Sequence, residues 1–416
     1  MISFDVIIIG GGPAGMFAAI HMGRDKNVLL LEKNKRPGKK LLLAGSGRCN
    51  LTHTGDIEHF LEHYGANRRF LRNALKSFSN EDLIRFFNKR RLPTNIDKNG
   101  KVFPASGNAA AVLGILLEEC RKQNVLIHTD EAVSKIAIKD IRDPGFRIVT
   151  RAGEYNCRYL VIATGGKSYP GSGSTGDGFD FARSVGHTVI DPKPALAPVY
   201  IKDYGFAAVS GVSLSNRRVY LYRGGKKIKE HRGDIGFTHK GLSGPGILDF
   251  SRYMERNDTL RLAVAAQKEE DFTRSFMETA EKEGKISIKR FLKKFDIPVG
   301  LTGIILRQLD IHQDEKLANI TRQKRARLIE FFCRYPFVIE KVGGFDVAMV
   351  TRGGVSLKEV SSKTMESGLI PGLYFAGEVL DIDGDTGGYN IQAAFSTGYL
   401  AARAISGECR HQKRHS

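Results

Sequence analysis

Phe4-Asp5-Val6-Ile7-Ile8-Ile9-Gly10-Gly11-Gly12-Pro13-Ala14-Gly15 is the stretch whose reading decides the fold. Its β-branched run reads as a strand buried on both faces. Glycines at 10, 12 and 15 follow at once, and residues 16–22 carry apolar side chains at helical spacing. Asn27-Val28-Leu29-Leu30-Leu31-Glu32 then reads as a second strand ending in an acid. Strand, glycine turn, helix and strand make a βαβ unit. Gly10 permits the turn, Gly12 lets backbone N–H groups approach a pyrophosphate, and Gly15 lets the helix pack closely. The helix N-terminus faces the diphosphate with its partial positive charge. Glu32 lies 20 residues beyond Gly12, where a carboxylate accepts hydrogen bonds from an adenosine ribose and disfavours a 2′-phosphate. The motif therefore predicts FAD or NAD.

Two further segments favour FAD. Ala163-Thr164-Gly165-Gly166 and Gly377-Glu378 each put small residues at the end of an expected buried strand, where the chain can pass close to a cofactor. Helices are expected at 67–77, at 81–90 behind a Ser79-Asn80 cap, at 108–124 and at 392–405. Strands are expected at 125–128 and 146–150. Beyond Pro192, Pro194 and Pro198 the texture changes: 219–222 and 226–230 around Gly224-Gly225 read as a hairpin. Residues 268–334 read as helical and basic, with Pro298 starting a helix, and 338–342 and 347–351 read as strands. The expected architecture is α/β: a Rossmann-like FAD-binding domain over 1–194 and 346–416. An inserted β domain at 195–345, with a basic helical subdomain at about 268–334, interrupts it.

Composition narrows the class. A hydrophobic fraction of 41% and a charged fraction of 26% exclude disordered, collagenous and fibrous chains. No apolar run reaches the roughly 18 residues of a membrane span. The longest candidate, 6–20, is broken by glycines and a proline and lacks a basic flank, so it reads as structure rather than a signal peptide. Five scattered cysteines without a C-x-x-C pair predict reduced thiols in a cytoplasm, and no metal-ligand spacing is present. The net charge is +19 and unevenly placed. Residues 26–101 hold 17 basic and 7 acidic side chains, residues 195–345 hold 28 and 18, and the rest is nearly neutral. Such a chain could be tuned for solubility, bind a polyanion or bind a membrane surface.

Further motifs are Lys39-Lys40-Leu41-Leu42 leading into Gly45-Ser46-Gly47-Arg48-Cys49-Asn50, and 163–170 followed by Gly173-Ser174-Thr175-Gly176-Asp177-Gly178. Phe237-Thr238-His239 with Gly241-Leu242-Ser243-Gly244-Pro245, and 372–383 with Gly387-Gly388-Tyr389-Asn390, complete the set. On these the chain resembles, over most of its length, the BaiN/RdsA-type bacterial flavoproteins, which are related in their cofactor domain to fumarate reductase and aspartate oxidase flavoproteins. The resemblance implies that Ala14 and its glycine neighbours hold the diphosphate and Glu32 the ribose. It implies Lys39, Lys40 and Ser46 at the inner face of FAD, the Val133 backbone at adenine and Glu378 at the ribityl chain. It also brings Arg48 and Asn50 near the isoalloxazine, and points the N–H groups of Gly388, Tyr389, Asn390 and Ile391 at the ring. Ser46 stands where some relatives have glycine, and 268–334 is shorter than in some members. The second glycine motif, Gly171 to Gly176, follows Tyr169-Pro170 rather than a strand. It is assigned to the flavin domain, so NAD(P)H is expected to bind only transiently.

The activity implied is FAD-dependent reduction of an activated C=C bond with NAD(P)H as electron source. Within the resemblance the substrate is either an enone-type small molecule or uracil in ribosomal RNA, reduced to dihydrouracil. The basic blocks 26–101 and 195–345 favour RNA, since such residues neutralise phosphates without reading sequence. A flavin-stabilised RNA-binding protein without turnover is the reading from another class. The proton donor is expected to be Cys49, taken as an ordinary thiol, with His239 second and Tyr389 third. The natural substrate, the choice of NADH or NADPH and the oligomeric state stay open.

Overall fold

Val6, Ile7, Ile8, Leu29 and Leu30 carry no exposed surface, as expected of strands covered on both faces. In the structure, a computed structural model describing residues 2–139 and 145–407, they lie on Ile2–Ile9 and Val28–Leu31. Cys409 and the tail at 410–415 fall outside the described residues. These two strands pair in parallel with Val6 opposite Val28, and Glu154–Ile162 joins the other side in parallel with Ile7 opposite Leu160. Leu126–His128 extends the sheet beyond Val28–Leu31. Leu373–Phe375 pairs in parallel with the last third of Glu154–Ile162, whose first half pairs antiparallel with Phe146–Thr150. Val133–Ile138 closes a seven-stranded sheet. Because the central strands are parallel, Ile9, Leu31, Ile162 and Phe375 all end at one edge, where open α/β sheets bind their ligands.

The chain divides into two compact units, Met1–Pro194 with Ala348–Ser416, and Ala195–Val347. In the first, the helices Pro13–Ile20, Ala109–Lys122 and Tyr389–Ile405 cover the sheet. The Asn80–Asn88 helix starts with a capping box between Ser79 and Asp82. The helix expected at 67–77 opens instead as a 3-10 segment, Gly65–Leu71, before Arg72–Ser77. The strand expected at 347–351 is displaced to Val350–Val355. A small sheet of Thr52–His53, Lys101–Pro104 and Thr94–Ile96 was not foreshadowed, its strands being too short for a period to show.

The second unit is a six-stranded antiparallel barrel. Its order is Val199–Ile201, Gly241–Ser243, Lys226–Phe237, Ser213–Arg223, Thr259–Leu262 and Tyr335–Val342, and the first and last strands pair to close it. The expected hairpin is thus the turn end of two much longer strands. Leu214, Val219, Leu221, Ile235, Leu260 and Ile339 fill the interior at alternating positions. Glu269–Glu283, Ile288–Leu292, Val299–Gln308 and Arg322–Arg334 form the helical part, with Pro298 at the N-cap of the third. Phe272, Phe291, Phe295 and Phe332 pack together as its core. Buried Arg217 fastens the barrel to this layer by donating to the carbonyls of Val264, Ser215 and Asp296.

Candidate functional site

The glycine turn is packed on one side and open on the other. A Cβ on Gly15 would stand 2.0 Å from the Gly10 carbonyl oxygen, so helix and strand touch through bare backbone. A Cβ on Gly12 would meet nothing within 4 Å. Gly12 is the N-cap of Pro13–Ile20 with no side-chain cap, so the first N–H groups of that helix face this open space. Glu32 stands beside it, 7% exposed. Its Oε2 accepts from Gly11 N at 2.9 Å, and its Oε1 accepts from Asn34 N at 2.8 Å. Asn34 also donates to the Ser172 carbonyl, which draws the Gly171–Gly176 loop onto this edge. That loop runs into the helix Asp177–Ser184 and belongs to the same unit as the first glycine turn.

Further along the edge, Lys40 Nζ donates to Glu378 Oε2 at 2.7 Å and to Ser168 Oγ at 2.9 Å. Glu378 Oε1 accepts from Ser168 Oγ and from Thr351 N, so four segments far apart in sequence meet on one carboxylate. Lys39 is exposed. The loop after Lys39–Leu43 is wound unusually tightly: Gly45, Ser46, Gly47 and Cys49 all have positive φ, and for Ser46 and Cys49 this is a strained backbone. Ser46 and Arg48 are exposed, with Arg48 over the Phe103 ring at 4.9 Å. Asn50 Oδ1, Thr52 Oγ1 and Thr164 Oγ1 are buried acceptors without a hydrogen-bond partner. Such groups are costly to bury unpaired and are satisfied in a folded protein by something that donates to them.

The Tyr389–Ile405 helix starts beside this loop, three residues earlier than the sequence pattern suggested. Gly388, at φ +100°, turns the chain into it; a Cβ there would stand 2.6 Å from the Thr52 carbonyl. The N–H groups of Tyr389, Asn390 and Ile391 form its first turn. The Asn390 side chain is committed to the preceding loop, accepting from Gly384 N and donating to the carbonyls of Gly384 and Asp385. Tyr389 is buried, its ring flanked by His63 at 4.1 Å and His53 at 5.2 Å, both stacked. Gly377, after the strand Leu373–Phe375, donates to Thr397 Oγ1 of the same helix. Val133 opens its strand next to a register shift, off the regular ladder.

One premise of the sequence reading fails. Cys49 is fully buried, and that burial pushes its thiol up to about 12, so it is no ordinary acid. Tyr389, buried and stacked with two imidazoles, is braced rather than presented. His239 lies in the second unit, exposed, beside a cleft lined by Tyr200, Tyr204, Lys240, Glu340 and Lys341. Sequence reasoning missed Ser168, Thr351, Thr52, His63 and Asp385, none of which carries a local signal. Among the described residues no three His, Cys, Asp or Glu side chains are placed to hold a metal ion, and no helix is long and apolar enough to cross a membrane.

The site's donor set fits FAD. It offers an open glycine turn beside a strand-end carboxylate, unpaired buried acceptors, and two helix N-termini on one sheet edge. A family profile, the HI0933-like protein Rossmann domain, matches residues 4–404. The chain is 33% identical to a ribosomal RNA dihydrouridine synthase of Haemophilus influenzae, over 96% of this chain and 98% of that protein. It is 34% identical to a 3-dehydro-bile acid delta(4,6)-reductase of Clostridium scindens, with the same coverage. Its fold is shared with an Escherichia coli quinol fumarate reductase chain at a TM-score of 0.52 and 13% identity, covering 99% of this chain and 72% of that one.

Proposed function

This chain belongs to the HI0933-like Rossmann-domain family, and we propose that, as an FAD-dependent oxidoreductase, it reduces an activated C=C bond and that its substrate is uracil in ribosomal RNA. Bound FAD supplies a hydride carrier; NAD(P)H is its proposed electron source. One substrate carbon takes the hydride and the other a proton, so the double bond becomes a single bond and the nicotinamide is oxidised. The chain's own residues do the rest. Gly12 and the first turn of Pro13–Ile20 offer N–H groups to the diphosphate, and Glu32 takes the adenosine ribose. The Val133 backbone serves adenine. Lys40 and Glu378 hold each other at the ribityl side, and Asn50 and Thr164 offer acceptors. The first turn of Tyr389–Ile405 gives N–H groups to the flavin ring, where a helix N-terminus favours the anionic reduced form. His239, exposed beside its cleft, is the proposed proton donor in place of buried Cys49.

The observation that carries the RNA reading is the placement of charge. Similarity to the two relatives does not choose, at 33% and 34%. The second unit, however, exposes Lys226, Lys227 and Lys229 at its hairpin, Arg290 on its second helix with Lys293 and Lys294 just after it, and Arg322 and Arg327 on its last. A small apolar substrate needs none of these. Nucleoside analysis of ribosomal RNA from a deletion strain tests the proposal. Loss of dihydrouridine, restored by the gene in trans, is expected. Unaltered RNA, with purified protein that reduces an enone, would move the assignment to small molecules.

A further inference from the structure

We infer that His63 and Asp385 act as a positioning pair that sets the electrostatics at the first turn of the Tyr389–Ile405 helix, and through it how readily the flavin is reduced. The inference rests on the cofactor reading above. Its geometry is a two-point clamp. Asp385 N donates to the His63 carbonyl at 2.9 Å, and His63 Nδ1 lies 3.0 Å from Asp385 Oδ2. The His63 ring lies nearly parallel to Tyr389, the first residue of the helix, at 4.1 Å, and the His53 ring does so at 5.2 Å. Tyr64 donates its phenol hydrogen to the Tyr389 carbonyl at 2.8 Å, and Asn390 ties the Gly384–Asp385 backbone to the same turn. The segment around residues 57–67 is thereby fastened to the loop that feeds the helix; Asn67 adds a bond to the Asp381 carbonyl.

Stacking alone does not require a carboxylate here. Phe60, edge-on to Tyr389 at 5.1 Å, already supplies an apolar wall. Asp385 and His63 are both about three-quarters buried, with side-chain exposures of 24% and 28%. A negative charge so close to a helix N-terminus draws on the same positive end that would stabilise an anionic flavin. The His63 ring, donating from Nδ1 to that carboxylate, holds the charge against itself and away from the N–H groups of the turn. The other titratable neighbours are His59, edge-on to His63 at 4.9 Å, and Tyr64, whose ionisation is suppressed first by burial and then by Tyr389 and Asp385. Three histidines gathered here do not form a metal-holding group.

The test compares His63→Phe, which keeps a stacking ring, with Asp385→Asn, which is isosteric. Each is purified as holoprotein, and FAD content, circular dichroism and the flavin midpoint potential are measured. The two potentials are expected to move in opposite directions. His63→Phe leaves Asp385 without that donor and makes reduction harder; Asp385→Asn removes the charge and makes it easier. Each change should be on the order of tenfold in the reduction equilibrium, as for one charge at a partly buried site. The double variant should return towards wild type. Shifts of the same sign, or none with FAD retained, overturn the inference, since a merely structural clamp would lose FAD in both variants alike. Should His63→Phe not fold, Asp385→Asn is read alone, and an unchanged or lowered potential there overturns it. Wild-type protein that holds no FAD would instead overturn the cofactor reading, and this inference with it.

Discussion

Glu32 shows how much one side chain carries. Its buried carboxylate fixes the glycine turn through Gly11 N and faces the position of a ribose. Glu32→Ala should weaken FAD retention by roughly 1.5–3 kcal/mol, the range for a charge-assisted hydrogen bond lost at a buried site. Flavin titration of the apoprotein measures it, and unchanged affinity would remove Glu32 from the site. The same scale warns against resemblance without accounting. Ser367 Oγ, His187 Nε2 and Glu359 line up like a nucleophile, base and acid, with Nε2 to Oγ at 2.8 Å and Nδ1 to Oε2 at 3.2 Å. But Ser367 Oγ already accepts from Leu369 N and Ile370 N, and the histidine is buried against Phe375. The group braces a turn. Burial lowers the His187 pKa below its ordinary 6.5, outweighing the pull of Glu359. The unfolded chain therefore binds more protons than the folded one in the range just below 6.5, and stability present above that pH is lost as pH falls. Thermal midpoints between pH 7.5 and 5 should fall in wild type and fall less in His187→Gln. Equal slopes would mean that another group sets them.

At the scale of elements, the first βαβ unit was legible because its signals are local: a β-branched run, spaced glycines and an acid at the next strand's end. The structure refines what those glycines do, and the refinement is testable. Gly15→Ala drives a methyl into the Gly10 carbonyl and should prevent or severely weaken folding; Gly12→Ala enters open space and should fold. Yet the Gly12 methyl would occupy the approach to the helix N-terminus, so this variant should keep its circular dichroism and melting behaviour while losing most of its FAD. Gly12→Ala with normal flavin content would contradict the site. Barrel closure was not legible. It depends on pairing Val199–Ile201 with Tyr335–Val342, which no window of sequence reports, and the polar tip of the Lys226–Phe237 strand masks its length. The Lys40–Ser168–Thr351–Glu378 cluster and the Tyr389 stack were hidden for the same reason. Their members are contributed by segments distant in sequence that become neighbours only in the folded chain. The Cys49 acidity was misjudged because a glycine-rich loop suggests openness, whereas this one is wound tightly enough to bury its thiol completely.

On the scale of the whole molecule, the charge of +19 cannot be read as fold, but it sets what the protein meets. A cofactor edge built from backbone N–H groups, one ion pair and a ribose acid needs little net charge. The excess in 195–345 is left over from that task and from barrel packing, and the exposed basic residues after the Ile288–Leu292 helix and on Arg322–Arg334 carry much of it. If these neutralise phosphates, binding to ribosomal RNA fragments should fall linearly on a log–log plot against salt. The slope should be about −0.7 per phosphate contacted on single strands and about −0.9 on duplex. Reversing Lys293, Lys294, Arg322 and Arg327 to glutamate should weaken binding and reduce that slope by roughly one unit per lost contact, with flavin content unchanged. The unchanged flavin matters, because it separates loss of an RNA surface from loss of the fold. Affinity that persists without salt dependence would place recognition in stacking or shape rather than counterion release. No affinity at low salt would leave these basic residues as a solubility device, and the substrate would then be sought among small molecules.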